Sequence, residues 1–316
     1  MRERQRNSMF PILAFVAGMT LAGCATLSPQ GQSLVPTQYR TRTGPYAVFS
    51  NFPIAADSPA IRSLHSLEND VEAHLGVRIN SKEAPIEVYI LNDRQSFAHF
   101  LKFYYPELPS RRAFFLAQGN QRVVFTFRGE RLEEDLRHEA THALLNVAYG
   151  DLPLWLDEGL AEYFESPTTH HGLNQEHLQR LPNDLASGWR PDLARLETLK
   201  SVRQMAPRDY RESWAWIHYL LSGSNEGKSV LLGYLADRRT GQSIKPLSEQ
   251  LRSRADSNPA TLITYLSQVR TLPIAGNPTS ADTTVRLQDN VLESGKSRPP
   301  APRRSFLSRL GSYFGF

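Results

Sequence analysis

Apolar and polar residues in the first part of the chain follow two periods, which predict short strands and two helices. Period-two alternation or short apolar runs, which favour strands, occupy four segments: 46–52, 86–91, 113–117 and 122–127. Helical spacing of apolar positions occupies 59–75, which stops at Gly76, and 94–105. The last two strands flank Gly119-Asn120, which predicts a hairpin. This order of elements indicates a mixed sheet with helices packed on it.

From residue 131 onward the chain has mostly helical patterns. They occupy six segments: 131–149, 153–165, 174–187, 209–222, 226–238 and 243–268. Because the strands are confined to the N-terminal part, the predicted fold class is α+β. A mixed N-terminal β-sheet with helices is followed by a mainly helical half.

The N-terminus has the pattern of an export signal. Three arginines within residues 2–6 precede an apolar stretch, 9–21, that is too short to cross a bilayer, so residues 1–23 are interpreted as a signal peptide. The chain has one cysteine, Cys24, so an intramolecular disulfide is excluded. The sequence Leu21-Ala22-Gly23-Cys24 resembles a bacterial lipobox, which implies lipidation of Cys24; the alternative is an ordinary signal peptide with an incidental cysteine.

Composition and charge divide the rest of the chain. Residues 24–44 are rich in Ser, Thr, Gln, Pro and Gly and are predicted to be a tether, and 273–316 a disordered basic tail. That leaves 45–272 as the folded domain. Residues 1–23 carry a net charge of +2 and 295–316 carry +5, so of the total of +4 the middle carries −3. A slightly acidic domain argues against nucleic acid as a partner.

The candidate metal-binding and catalytic residues lie in the helix predicted at 131–149. His138-Glu139-Ala140-Thr141-His142 fits the pattern His-Glu-x-x-His, and acidic residues crowd the first helical turn before it. Residues four apart on a helix lie one turn above each other, so His138 and His142 can bind one Zn²⁺ ion. Glu139 projects beside them, where it can take a proton from a metal-bound water and return it to a leaving amine.

A catalytic zinc needs a third protein ligand and an open position. The helix predicted at 153–165 follows after a short turn and presents several acids on one face. Glu158 is selected as the ligand because Trp-Leu-x-Glu-Gly places it among apolar residues, whereas Asp157 is on the wrong face. Glu162, one turn on, is expected to accept a hydrogen bond from the outer N–H of a zinc-bound histidine. The alternative for these acids is a solvated helix face.

Together, His138–His142 and the segment Trp155-Leu156-Asp157-Glu158-Gly159 resemble the gluzincin clan of metallopeptidases. The stretches 111–115 and 133–139 are similar to a less-characterised bacterial gluzincin-like family, and the resemblance covers roughly residues 45–235. It implies a zincin-like fold with the active-site helix between sheet and helical half. It also implies that Glu158 is the third zinc ligand and that Glu162 supports one of the histidine ligands. The interval of 16 residues between His142 and Glu158 is shorter than in the aminopeptidase-type members.

Peptide hydrolysis also needs a donor for the oxyanion and a place for the substrate. Similar enzymes use a tyrosine on a later helix, which makes Tyr210 the first candidate, with His218 and Tyr219 as rivals. The strand at 122–127 is a candidate edge for pairing with an extended peptide.

The leading interpretation is therefore a zinc-dependent peptidase of the bacterial envelope that acts on peptide or protein substrates. A lipid on Cys24 would anchor it in the membrane, facing the periplasm or the cell surface, and the resemblance to bacterial lipoproteins implies the outer membrane, because Ala25 rather than Asp follows the cysteine. The alternative is a catalytically silent envelope lipoprotein, a binding or assembly module that retains the fold. An intact Glu139 argues against this alternative, since a binding module does not need it.

Overall fold

The N-terminal part of the protein forms one five-stranded mixed sheet. Its strands are β1 (Tyr39–Thr43), β2 (Tyr46–Ser50), β3 (Ile86–Leu91), β4 (Phe114–Gln118) and β5 (Gln121–Phe127), in the spatial order β1-β2-β3-β5-β4. The central strands β2, β3 and β5 are parallel, and β1 and β4 pair antiparallel at the two edges. The structure is a computed structural model that describes residues 34–79, 84–167, 170–241, 244–252 and 258–269.

Helices make up most of the remaining described chain, which confirms the predicted α+β class. They are α1 (Pro59–Leu75), α2 (Arg94–Tyr104), α3 (Leu132–Tyr149), α4 (Leu154–Phe164), α5 (Gln175–Ala186), α6 (Leu193–Leu196), α7 (Pro207–His218), α8 (Asn225–Arg239), α9 (Leu247–Arg252) and α10 (Pro259–Val269). A 3₁₀ turn at Val202–Gln204 precedes α7, and a π-helical turn at Tyr219–Gly223 follows it. Within the described ranges no helix combines the length and the hydropathy that crossing a bilayer requires.

The two faces of the sheet pack against different helices. One face contributes Val48, Val88 and Val124 to the main core, which α1, α3 and the C-terminal helices complete. The other face is covered by α2, where Phe100 packs in a separate cluster with Phe125. Successive side chains along each strand point to opposite faces, so the same sheet contributes residues to both cores.

The boundary predicted between tether and domain is wrong. Residues 39–43 were assigned to the tether, but they form β1 and pair with β2, with Thr43 opposite Tyr46. Gly44 makes the tight turn possible because its φ of 50° lies in the left-handed region. The Tyr-Arg-Thr-Arg-Thr sequence of β1 lacks an apolar signal because edge strands are exposed, and charged side chains there discourage pairing with other chains.

The single helix predicted at 243–268 is also wrong. Two helices, α9 and α10, replace it, and α10 starts at Pro259, whose ring is favourable in the first turn of a helix but not in its interior. The predicted signal peptide, Cys24 and the start of the tether precede residue 34, and the predicted basic tail follows residue 269. These predictions therefore lie outside the described residues.

Helix α3 lies between the sheet and the helical half, as predicted for the helix that carries the motif. It packs on β4 and β5, on α1, and on α4. Arg137, next to the motif, is fully buried and donates to the carboxylate of Asp70 on α1 and to the carbonyl oxygen of Phe164 at the end of α4. These contacts fix the position of α3 relative to its neighbours.

Candidate metal centre and active site

Two histidines of α3 and one glutamate of α4 converge. The Nε2 atoms of His138 and His142 lie 3.7 Å and 3.8 Å from Oε2 of Glu158, and one donor atom of each residue lies within 4.8 Å of the others. His142 and Glu158 are buried, whereas His138 is partly exposed. Four-residue spacing on α3 places the imidazoles one turn apart, and the short turn at 150–153 brings α4 back across them.

A carboxylate within α4 and one at its C-terminal cap orient the two imidazole rings. Nδ1 of His138 lies 3.1 Å from Oε2 of Glu165, and Nδ1 of His142 lies 2.9 Å from Oδ2 of Asp157. An ionised carboxylate accepts but does not donate, so each Nδ1 carries the proton. Each Nε2 is then the ring nitrogen that faces Glu158, the arrangement that metal-binding histidines commonly have.

The role predicted for Glu162 is wrong. Its Oε2 accepts hydrogen bonds from His177 and Asn174, and the outer nitrogen of His138 is paired with Glu165 instead. Seven residues complete almost two helical turns, so Glu165 returns to the face of α4 that carries Glu158. The crossing of α3 and α4 places this later turn beside His138.

Charge in the site favours a cation. Burial alone would lower the pKa of His138 and of His142, but hydrogen bonds and nearby carboxylates outweigh it and raise both, that of His142 to about 9. Burial would raise the pKa of Glu158, but the two histidines hold it below its usual value. The carboxylates of this site therefore stabilise positive charge between them, and such a site is suited to a bound metal ion.

Glu139 stands beside this cluster with a free carboxylate. It is partly exposed and makes no hydrogen bond or ion pair to another described residue. Burial of its carboxyl raises the pKa, and the charges of His138 and His142 oppose this rise. A partly desolvated carboxylate without a fixed partner is suited to exchange protons with a substrate.

Tyr210 lies in the first turn of α7 and is partly buried. Burial raises the pKa of its phenol, and the negative charge of Glu158 raises it further, so the hydroxyl stays protonated as a donor close to the cluster. Arg111, in the loop before β4, adds positive charge that acts on both Tyr210 and Glu139.

The rival oxyanion donors have other partners. His218 is buried, its Nε2 donates to the carbonyl oxygen of His171 at 3.1 Å, and its Nδ1 accepts from the hydroxyl of Tyr265 at 2.8 Å. Tyr219 is buried in the π-helical turn with its ring against Tyr265. Both residues therefore belong to the packing of the helical half.

The strand predicted as the substrate edge is also wrong. Residues 122–127 form β5, which pairs on both sides, with β3 and with β4. The edge is β4, whose Phe115 stacks on His142 with ring centroids 6.3 Å apart. Of the two hairpin strands, β5 is the one that pairs with β3, in parallel, and this leaves β4 at the outside of the sheet.

The donor set fits zinc. Two imidazole nitrogens and one carboxylate are a known catalytic zinc combination, and bonds of about 2.0–2.1 Å in a tetrahedron separate ligand atoms by roughly 3.3–3.4 Å. The separations of 3.7 Å and 3.8 Å from Glu158 exceed this range by only a few tenths of an ångström. These two separations are therefore close to those of a bound zinc ion.

These features define an α+β protein with a two-histidine, one-carboxylate cluster between two neighbouring helices. A family described as "Protein of unknown function (DUF1570)" matches residues 134–240, the segment that contains His138, Glu158 and Tyr210. No curated protein matches the chain.

Sequence reasoning missed the carboxylates that orient the histidines. Glu165 shares the helix face of Glu158, and this signal was present in the spacing. Asp157 was set aside because it points away from the ligand position, although the structure places it against Nδ1 of His142. Asn174 and His177 had no partner visible in the sequence, because their contacts to Glu162 depend on how α5 folds back.

Proposed function

We propose that the protein is a zinc-dependent peptidase that hydrolyses peptide bonds in peptide or protein substrates. The observation that carries this proposal is the convergence of His138, His142 and Glu158 beside Glu139, a carboxylate with no partner among the described residues. The resemblance of these residues to the gluzincin motifs supports the same conclusion.

Each residue has a role in this chemistry. His138, His142 and Glu158 would hold the zinc ion, which supplies Lewis acidity to the attacking water and to the substrate carbonyl. Glu139 takes a proton from the water as its oxygen attacks the carbonyl carbon. Glu139 then delivers that proton to the amide nitrogen as the carbon–nitrogen bond breaks. Tyr210 donates a hydrogen bond to the carbonyl oxygen while it carries negative charge.

An extended substrate fits along β4. The outer edge of this strand has no partner strand in the described sheet, so its backbone groups can pair with a peptide by strand addition. Phe115 of β4 already contacts the ring of His142, which puts a peptide on this edge beside the metal ligands.

Attachment to the bacterial envelope through a lipid on Cys24 is part of the proposal and rests on the sequence alone. Replacing Cys24 with Ser and following incorporation of a labelled fatty acid tests it. Label that persists in the Cys24→Ser protein would exclude this anchor.

Glu139→Gln tests the catalytic proposal. The amide keeps the size of the side chain and loses its basicity, so turnover of a peptide library should fall to background while bound zinc stays equimolar. Glu133→Gln makes the same change in the first turn of α3, at a partly exposed residue outside the cluster, and should keep full activity. Cleavage by Glu139→Gln at the rate of the unchanged protein would refute the proposed role. Bound zinc without cleavage by the unchanged protein would favour the silent binding or assembly module.

A further inference from the structure

A chain of hydrogen bonds leads from the metal ligand His138 to helix α5. Oε2 of Glu165 accepts from Nδ1 of His138 at 3.1 Å, and Oε1 of the same carboxylate accepts from Nδ2 of Asn174 at 2.7 Å. Nδ2 of Asn174 also donates to Oε2 of Glu162 at 3.1 Å, and Nε2 of His177 donates to that oxygen at 3.0 Å. The path connects α3 to α5 through two carboxylates at the C-terminal end of α4.

Asn174 serves two purposes with its two amide atoms. Its Oδ1 accepts from the backbone N–H of His177 at 3.1 Å and so caps the N-terminus of α5. Its Nδ2 carries two hydrogens, one for each of the carboxylates of Glu162 and Glu165. The cap alone would need only the oxygen, so the amide nitrogen has a separate function.

The two carboxylates need this donor. Glu162 and Glu165 each have an oxygen within 4.8 Å of the other and of a ring nitrogen of His138, and like charges this close repel each other. A shared amide N–H₂ group and the ring of His177 offset the repulsion. His177 is itself held by ring packing on Trp214, with centroids 5.5 Å apart.

We infer that Asn174 and His177 are positioning residues for the metal ligand His138: they hold Glu165 and Glu162 in place, and Glu165 in turn fixes the imidazole of His138. This inference rests on the proposed function, because it assigns the two residues a role in zinc binding. Neither residue touches the metal position. Their effect passes through Glu165.

Two substitutions separate this role from helix capping and packing. Asn174→Ser keeps an N-cap oxygen, since serine caps about as well as asparagine, but it replaces the amide N–H₂ group by a shorter hydroxyl with one hydrogen, which cannot serve both carboxylates. His177→Phe keeps an aromatic ring against Trp214 and loses the N–H group. Glu176→Gln is the matched control, because Glu176 lies between them on α5, is exposed and pairs with Arg180.

The measurements are the zinc dissociation constant by chelator competition and the absorption spectrum of the cobalt-substituted protein. Losing a hydrogen-bond partner of a metal-ligating histidine costs about 10–100-fold in affinity, and we expect about 10-fold for Asn174→Ser because it acts one bond further out. His177→Phe should give a smaller loss in the same direction. The cobalt spectrum should change in both variants and stay unchanged in Glu176→Gln.

Each outcome decides the inference. Weaker zinc binding and an altered cobalt spectrum, with an unchanged melting temperature of the metal-free protein, would support a positioning role. Unchanged zinc affinity and spectrum in both variants would overturn the inference and leave the peptidase proposal intact. Absence of zinc binding in the unchanged protein would overturn both.

Discussion

Gly159 lies where α4 crosses α7, next to the proposed ligand Glu158 in sequence. A Cβ atom at this position would sit 2.7 Å from the carbonyl oxygen of Ser213 and 2.8 Å from Cγ1 of Ile217. Ordinary contacts begin near 3.4 Å, so the helices would have to separate by about 0.7 Å, and a backbone oxygen in a helix cannot simply rotate away. Gly159→Ala therefore overpacks the contact between the helix that carries Glu158 and the helix that carries Tyr210.

The expected loss of stability is estimated by comparison with Gly233 in α8, where nothing lies within 4 Å of an added Cβ. Both substitutions gain up to about 1 kcal/mol of helix propensity. Overpacking of a core costs about 1–3 kcal/mol, and only Gly159→Ala incurs that cost. Gly233→Ala should thus stabilise the fold, and Gly159→Ala should be about 1–3 kcal/mol less stable than it.

Denaturant unfolding of the metal-free proteins, followed by circular dichroism, measures this difference directly. Thermal unfolding gives a second estimate, at roughly 2–4 °C for each kcal/mol in a domain of this size. We also expect slower peptide turnover in Gly159→Ala, because Tyr210 moves away from Glu158. Equal stability of the two alanine variants would show that the close contact between α4 and α7 does not exist in solution.

Three further predictions concern the ion pair behind the site, a buried histidine and the metal. Arg137→Met should destabilise the protein by about 3–5 kcal/mol in denaturant unfolding, because it removes a buried guanidinium that lies 2.7 Å from the carboxylate of Asp70 and donates to the carbonyl oxygen of Phe164; a cost below about 1 kcal/mol would contradict this. Burial lowers the pKa of His218 from 6.5 to about 4. The unfolded chain therefore binds more protons between these values, so stability should fall by about 3 kcal/mol as pH drops from 6.5 to 4. His218→Asn should remove that part of the acid sensitivity, and parallel stability curves for the two proteins would refute the assignment. Free zinc at 100 times its dissociation constant should stabilise the fold by about 2.7 kcal/mol in a melting experiment, and a chelator should reverse it; a melting temperature independent of zinc would exclude the metal site.

The spacing of residues along the sequence was enough to predict much of the fold and the centre of the candidate site. The spacing of four between His138 and His142 is about one helical turn whatever surrounds it, so a pattern confined to α3 was enough to pair them. Glu158 was found because a Trp-Leu-x-Glu-Gly run indicates a buried carboxylate on the next helix, and Gly119-Asn120 marked the hairpin. These features depend on contacts within a few residues or across one short turn.

Contacts between elements distant in sequence were decided by the tertiary structure. Which carboxylate meets Nδ1 of His138 depends on the crossing of α3 and α4, and a shift of one turn along α4 exchanges Glu162 for Glu165. The position of β4 at the sheet edge depends on which strand of the hairpin pairs with β3, and both strands have the same alternating pattern. Asn174 could be recognised from sequence as a helix cap, but its amide nitrogen acquired partners only when α5 folded against α4. Sequence determines which groups a helix or strand presents, and packing determines which of them meet.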